Sequence, residues 1–153
     1  MPTWWQGHGP HLTLGVEIYC GRPILYSLGN FIFQNDTVEV FPAEAYQRFG
    51  LPHTATPADF LDTRTDGGRR GFPASPEFWE GLAGECEFRD RELAAVRLYP
   101  LDLGHGRPRA QRGRPLIARG AVAERILARI ARLSRRFGTE IVVDGDCAMI
   151  QLC

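Results

Sequence analysis

The sequence contains no lysine; all 18 of its basic side chains are arginine. Cysteine is scarce, with four residues at 20, 86, 147 and 153 and no Cys-x-x-Cys pair. That spacing argues against a zinc ribbon or a disulfide scaffold and leaves the redox compartment open. No apolar run approaches the roughly 18 residues a membrane helix needs. The opening Met-Pro-Thr-Trp-Trp-Gln lacks the basic and apolar regions of a signal peptide, so neither a membrane span nor an export signal is expected in the chain as given. Also missing are Gly-x-Ser-x-Gly, a phosphate loop, Gly-x-Gly-x-x-Gly, any internal repeat and a carboxylate pair with evident acid and base roles.

What remains is ordinary globular composition, 44% hydrophobic and 24% charged over 153 residues, enough for one buried core. The net charge is zero, but its distribution is lopsided. Residues 1–88 hold 5 arginines against 11 acids, and residues 89–153 hold 13 against 7. Such a basic segment is either a solvated helix face and loop or a surface that contacts a polyanion, because guanidinium suits bidentate carboxylate or phosphate contacts.

Along the chain, Gly7-His8-Gly9-Pro10-His11 is loop chemistry that places two imidazoles on one tight turn. Residues 12–19 and 23–33, rich in β-branched and aromatic side chains, predict a hairpin reversing at Cys20-Gly21. Its second arm is apolar on both faces over 26–33, as in a buried strand, with a bend at Gly29-Asn30. Short helices are predicted over 43–49 after Pro42, from a Thr56/Asp59 capping box, and from Ser75-Pro76 through Leu82. A polar loop is expected over 62–71. A second hairpin is expected around Arg89-Asp90-Arg91, and an exposed loop over 101–115. A helix over 121–136 carries the stripe Val122, Ile126, Ile130 and Leu133 and ends at Gly138. A last hairpin turns at Asp144-Gly145-Asp146.

Imidazole is the commonest transition-metal ligand, so His8 and His11 are the candidate metal ligands, though two nitrogens fall short of the usual three or four protein donors. His53 and His105 read as incidental loop residues. Arg107, Arg109, Arg112 and Arg114 crowd one predicted loop, where they are candidate substrate-binding residues for an extended polyanion. Arg129, Arg132 and Arg136 follow at helical spacing and can share a face.

Gly7-His8-Gly9-Pro10-His11, Gly15-Val16-Glu17-Ile18-Tyr19, Gly21-Arg22-Pro23-Ile24 and Tyr26-Ser27-Leu28-Gly29-Asn30-Phe31 together resemble the C-terminal signature of the CapA-type poly-gamma-glutamate capsule biosynthesis family. Gly71-Phe72-Pro73, Glu77-Phe78-Trp79-Glu80, Tyr99-Pro100-Leu101-Asp102-Leu103, Arg112-Gly113-Arg114-Pro115 and residues 134–138 extend the resemblance over nearly the whole chain. The family is similar to the calcineurin-like metallophosphatases. The resemblance implies an α/β fold, the C-terminal part of a metallophosphatase sandwich, with hairpins plus one long C-terminal helix and residues 1–153 forming one unit. It implies that His8 and His11 are late ligands of a dinuclear divalent-metal centre of Mn, Fe or Zn, on a turn one residue longer than the family's. The other ligands would lie in an N-terminal half that the chain does not contain. The segment before Gly7 is a buried strand in the family, whereas Met-Pro-Thr-Trp-Trp-Gln does not read as one.

Two functions follow from the resemblance. In the first the parent protein is a metal-dependent hydrolase of capsule polymer or phosphoester, this part alone being inactive. In the second it is a non-catalytic assembly component whose arginines hold poly-gamma-glutamate or another polyanion. The compartment is left open, the family that the chain resembles being often associated with the cell envelope; self-association through an uncovered sheet is expected, and a nucleic-acid partner is not.

Overall fold

The structure is a computed structural model that describes residues 5–152. β2 (Val16–Tyr19) and β3 (Arg22–Leu25) form the first hairpin, paired from Val16↔Leu25 to Tyr19↔Arg22. Cys20 and Gly21 turn it with φ of 48° and 72°, the two positive values that a tight type I′ reversal needs. β1 (Trp5–Gln6) adds to β3 in parallel, giving the order β1-β3-β2. The segment before Gly7 is thus a strand after all, but a short and exposed one; Met1 to Trp4 lie outside the described residues.

The second arm ends at Leu25, so the expected strand over 26–33 is corrected, while Ser27, Leu28, Asn30 and Phe33 of that run are buried. That run makes only the isolated bridges Thr13↔Leu28 and Gly29↔Gly81, and Phe31 and Ile32 are 52% and 57% exposed. The backbone turns at Gly29, where φ is 73° and a Cβ would meet the Glu80 carbonyl at 2.7 Å. Past that bend no neighbouring strand continues the ladder, so Phe31 and Ile32 stay exposed, while Phe33 is buried against Trp79 and Leu103 instead of in a sheet.

α1 (Ala43–Arg48) follows Pro42, and α2 (Pro57–Thr65) starts from the Thr56/Asp59 capping box. α2 runs into the stretch expected to be loop and stops at Asp66, whose φ of 53° is left-handed. Phe60 is buried among Phe41, Tyr46 and Phe49, with ring centroids at 4.5, 5.5 and 5.4 Å. The helix expected from Ser75 to Leu82 is only the 3-10 turn Pro76–Trp79, and β4 (Glu80–Arg89) begins at once. Gly81 and Gly84 disfavour helix there, and a Cβ at Gly81 would collide with the Asn30 carbonyl.

β4 pairs with β5 (Glu92–Asp102) around Asp90 and Arg91, both at positive φ. β5 also pairs with β6 (Leu116–Ile117) and with β8 (Cys147–Ile150), which β7 (Ile141–Asp144) borders. The path β4-β5-β8-β7 leaves β4 and β7 as edges. β7 and β8 join through Gly145, at φ 59°. α3 (Gly120–Ser134) lies against this sheet and runs through the 3-10 turn Arg135–Phe137 to Gly138, whose φ is 70°.

Of the predicted stripe, Ile126 and Ile130 sit in the core and Val122 and Leu133 are half-buried. Ile126, Leu127 and Ile130 are fully buried with Leu98 and Ala148, joined by Val16 and Leu25 from the first sheet and Leu28 just beyond it. Each large aliphatic side chain so buried contributes about 1.5–3 kcal/mol. Much of 101–115 is loop, but it is anchored: Leu103 is buried with Phe33 and Trp79, and Gly113 donates to the Leu103 carbonyl at 2.7 Å. The result is the expected mixed α/β arrangement, two sheets and one long C-terminal helix.

Candidate functional site

The His8-Gly9-Pro10-His11 turn is closed by the His11 amide donating to the His8 carbonyl at 3.0 Å. It is stitched to the first hairpin on both sides of Gly7, whose amide reaches the Leu25 carbonyl and whose carbonyl accepts from the Leu28 amide, each at 3.0 Å. His11 sits at φ 59°, a left-handed value uncommon outside glycine though less so for His than for most residues.

Both rings are held from the bend at Gly29-Asn30. His8 Nδ1 donates to the Gly29 carbonyl at 3.0 Å, and His11 Nδ1 to Asn30 Oδ1 at 2.8 Å. The Asn30 amide nitrogen donates to the Phe78 carbonyl at 2.9 Å. That bond orients the amide so that its oxygen faces His11. An acceptor at each Nδ1 selects the Nδ1–H tautomer of a neutral ring, which turns the lone pair of each Nε2 outward. Phe72 packs on the His11 ring at 5.3 Å and Phe78 on Phe72 at 4.4 Å.

The turn is tied to the rest of the molecule through a buried charge. Glu80 is 2% exposed. Arg125 reaches its Oε1 from Nη2 at 2.7 Å and from Nε at 2.9 Å. Arg129 Nη2 lies 2.7 Å from Oε2, an ion pair whose hydrogen is not aligned on the oxygen. Arg129 Nε donates to Thr13 Oγ1 at 3.1 Å. Thr13 lies two residues beyond His11, so α3, β4 and the histidine turn meet at one polar junction. Removing one partner of such a pair leaves an uncompensated charge, which is why the junction keeps its geometry.

The four loop arginines are placed differently from the histidines. Arg107 pairs with Asp102 at 2.6 Å, Arg109 with Asp62, and Arg112 lies over the Trp79 ring at 5.2 Å. Arg114 is exposed. Three of the four therefore staple the loop to β5, α2 and Trp79 rather than standing together on an open surface. His53 is exposed in the turn before α2, and His105 is exposed with its ring 6.2 Å from Trp79. Among the described residues no group of three or more His, Cys, Asp and Glu side chains converges as a metal cage, and Cys20, Cys86 and Cys147 are unpaired.

Asn30 and Glu80 are the residues that pattern reading passed over. One signal was present: an asparagine inside the apolar run 24–33 has to find partners when buried. Nothing local marks Glu80, whose partners come from a helix far along the chain.

Residues 5–35, which hold the histidine turn, the first hairpin and the Asn30 bend, match the family "Bacterial capsule synthesis protein PGA_cap". That stretch is similar to this capsule-synthesis family, and the CapA-type resemblance is borne out there. The chain is also 38% identical to two proteins of Sinorhizobium fredii (strain NBRC 101917 / NGR234), "Uncharacterized protein y4sH" and "Uncharacterized protein y4uA". The alignments cover 95% of this chain and 33% of each relative, so the chain spans about a third of the length of these curated relatives.

Proposed function

We propose that the chain is the C-terminal part of a metal-dependent hydrolase-like protein of poly-gamma-glutamate capsule synthesis, related in fold to the calcineurin-like metallophosphatases. In it His8 and His11 are two of the ligands of a divalent-metal centre of Mn, Fe or Zn. The observation that carries this reading is the fixing of both rings at Nδ1, by the Gly29 carbonyl at 3.0 Å and Asn30 Oδ1 at 2.8 Å. Metal-ligating histidines are oriented in this way, with the second nitrogen held by a carbonyl or carboxylate. When bound, such a metal acidifies a water or polarises the oxygen of the scissile group. This chain's own contribution is to fix the orientation of two imidazoles, with Phe72 packed against the His11 ring. Two ligands are fewer than a usual centre has. The others are assigned to the part of the longer protein that lies outside this chain, and the fragment alone is expected to be inactive.

Calorimetric titration of Mn²⁺ or Zn²⁺ tests this. Weak binding that His8→Ala or His11→Ala abolishes is the expected result, and binding unchanged in both variants overturns it. The same reading expects self-association along the open edge β7, where Val142 and Val143 are exposed beside Met149 of β8. Light scattering should then give a mass that rises with concentration; a constant monomer mass would count against the fragment assignment.

A further inference from the structure

Beyond the histidine turn, and using neither histidine, a cleft of about 1030 Å³ opens between α3 and the Pro76–Trp79 turn. Five arginines and three carboxylates line it, an excess of two positive charges. Val122, Arg125, Arg129, Arg132 and Arg135 line it from the helix side. From Arg125 to Arg135 the rise is about 15 Å, so these guanidinium groups follow the length of the cleft.

The charges in the cleft are not equally satisfied. Arg107 is matched by Asp102. Arg125 and Arg129 share the single buried carboxylate of Glu80, which locks their planes but neutralises only one of them. Glu77 is engaged with Ser75, a bond that holds its carboxyl below the usual range, with Arg129 and Arg125 adding to the effect. Arg132 and Arg135 have no ion-pair partner among the described residues. They stand three positions apart on one helix face, where like charges repel each other. Pro76, Trp79 and Ala128 supply apolar wall between them.

We propose that this cleft binds a multivalent oxyanion, a chain or cluster of carboxylate or phosphate groups, through Arg132 and Arg135 together with the Glu80-braced Arg125 and Arg129 that line it with them. Planar guanidinium forks donate two parallel N–H bonds to the oxygens of such groups, and arginines already immobilised lose little freedom on binding. This moves anion recognition from the 107–114 loop, whose arginines are largely engaged, to the helix.

The test uses the whole chain with two probes, tripolyphosphate and a polyaspartate peptide, titrated by calorimetry at low salt. Arg132→Gln/Arg135→Gln is compared with Arg89→Gln/Arg91→Gln at the β4–β5 hairpin tip, which removes the same charge away from the cleft. Both pairs are exposed, and circular dichroism checks that each variant folds. The cleft variant should weaken the tighter probe by about tenfold or more, while the tip variant changes it little. Glu77→Gln, which removes a competing carboxylate, should tighten binding. Tighter binding of polyaspartate identifies a carboxylate ligand and tighter binding of tripolyphosphate a phosphate one; either supports the site. Equal losses in the two double variants, or no binding of either probe to the native chain, overturns it. Because no metal is added, failure here leaves the histidine reading standing.

Discussion

From Glu80 to Ile150 the chain is held by long ladders. β4 and β5 pair from Glu80↔Asp102 to Arg89↔Glu92, and α3 closes one face with fully buried aliphatic side chains. From Trp5 to Trp79 the strands are two to four residues long, and the remainder is two helices, 3-10 turns and loops. The C-terminal region is secured by apolar area. The N-terminal region, which carries both candidate histidines, adds Val16, Leu25 and Leu28 to that core, but its orientation is set by a few polar ties: Val16 N–H to Ser134 Oγ at 2.9 Å, the Leu82 amide to the Leu28 carbonyl at 2.8 Å, and Thr13 to Arg129. Area resists deformation through many small contacts, whereas a polar tie sets one direction sharply and fails when one atom is removed.

Three substitutions break or sharpen that contrast. Ile126→Ala, in the region secured by area, should lose about 2–5 kcal/mol in denaturant unfolding, because the surrounding core cannot fully close the cavity. Asn30→Ala should lose less, about 1–3 kcal/mol, from leaving the Phe78 carbonyl and His11 Nδ1 without their partner. It should also change the tautomer populations of His11 seen in its nitrogen chemical shifts while leaving those of His8 alone. An unchanged His11 spectrum would show that Asn30 does not orient the ring. Phe31→Ala should be the smallest, within about 0.5 kcal/mol, as for other exposed positions. A loss of several kcal/mol would show that the Phe31 side chain is buried after all.

Local chemistry made much of the fold legible. Cys20-Gly21 and Gly145 are turn residues at their own positions, Thr56 and Asp59 satisfy each other within one helical turn, and the α3 stripe needs only its period of 3.6. The histidine turn was legible as well, since Gly-Pro between two imidazoles admits few conformations. Residues 26–33 and 75–82 were misread for one shared reason. Hydrophobicity and capping residues were correct as local signals, but the two segments cross at Gly29 and Gly81, where only glycine lets the backbones approach. That crossing ends one expected strand and one expected helix together.

The sequence by itself determined the turns, the helix caps, the amphipathic α3 and the presence of two imidazoles on one glycine-rich loop, because each depends on residues within a few positions of one another. Tertiary structure alone decided which arginines are consumed. Arg109 meets Asp62 and Arg125 and Arg129 meet Glu80 across separations of 47, 45 and 49 positions, while Arg132 and Arg135 are left facing a cleft. It also decided that Asn30, in an otherwise apolar run, lies within hydrogen-bond reach of both His11 and Phe78. Charge and hydrogen-bond pairing act over a few ångströms of space, and distance along the chain carries little information about them until the backbone has folded.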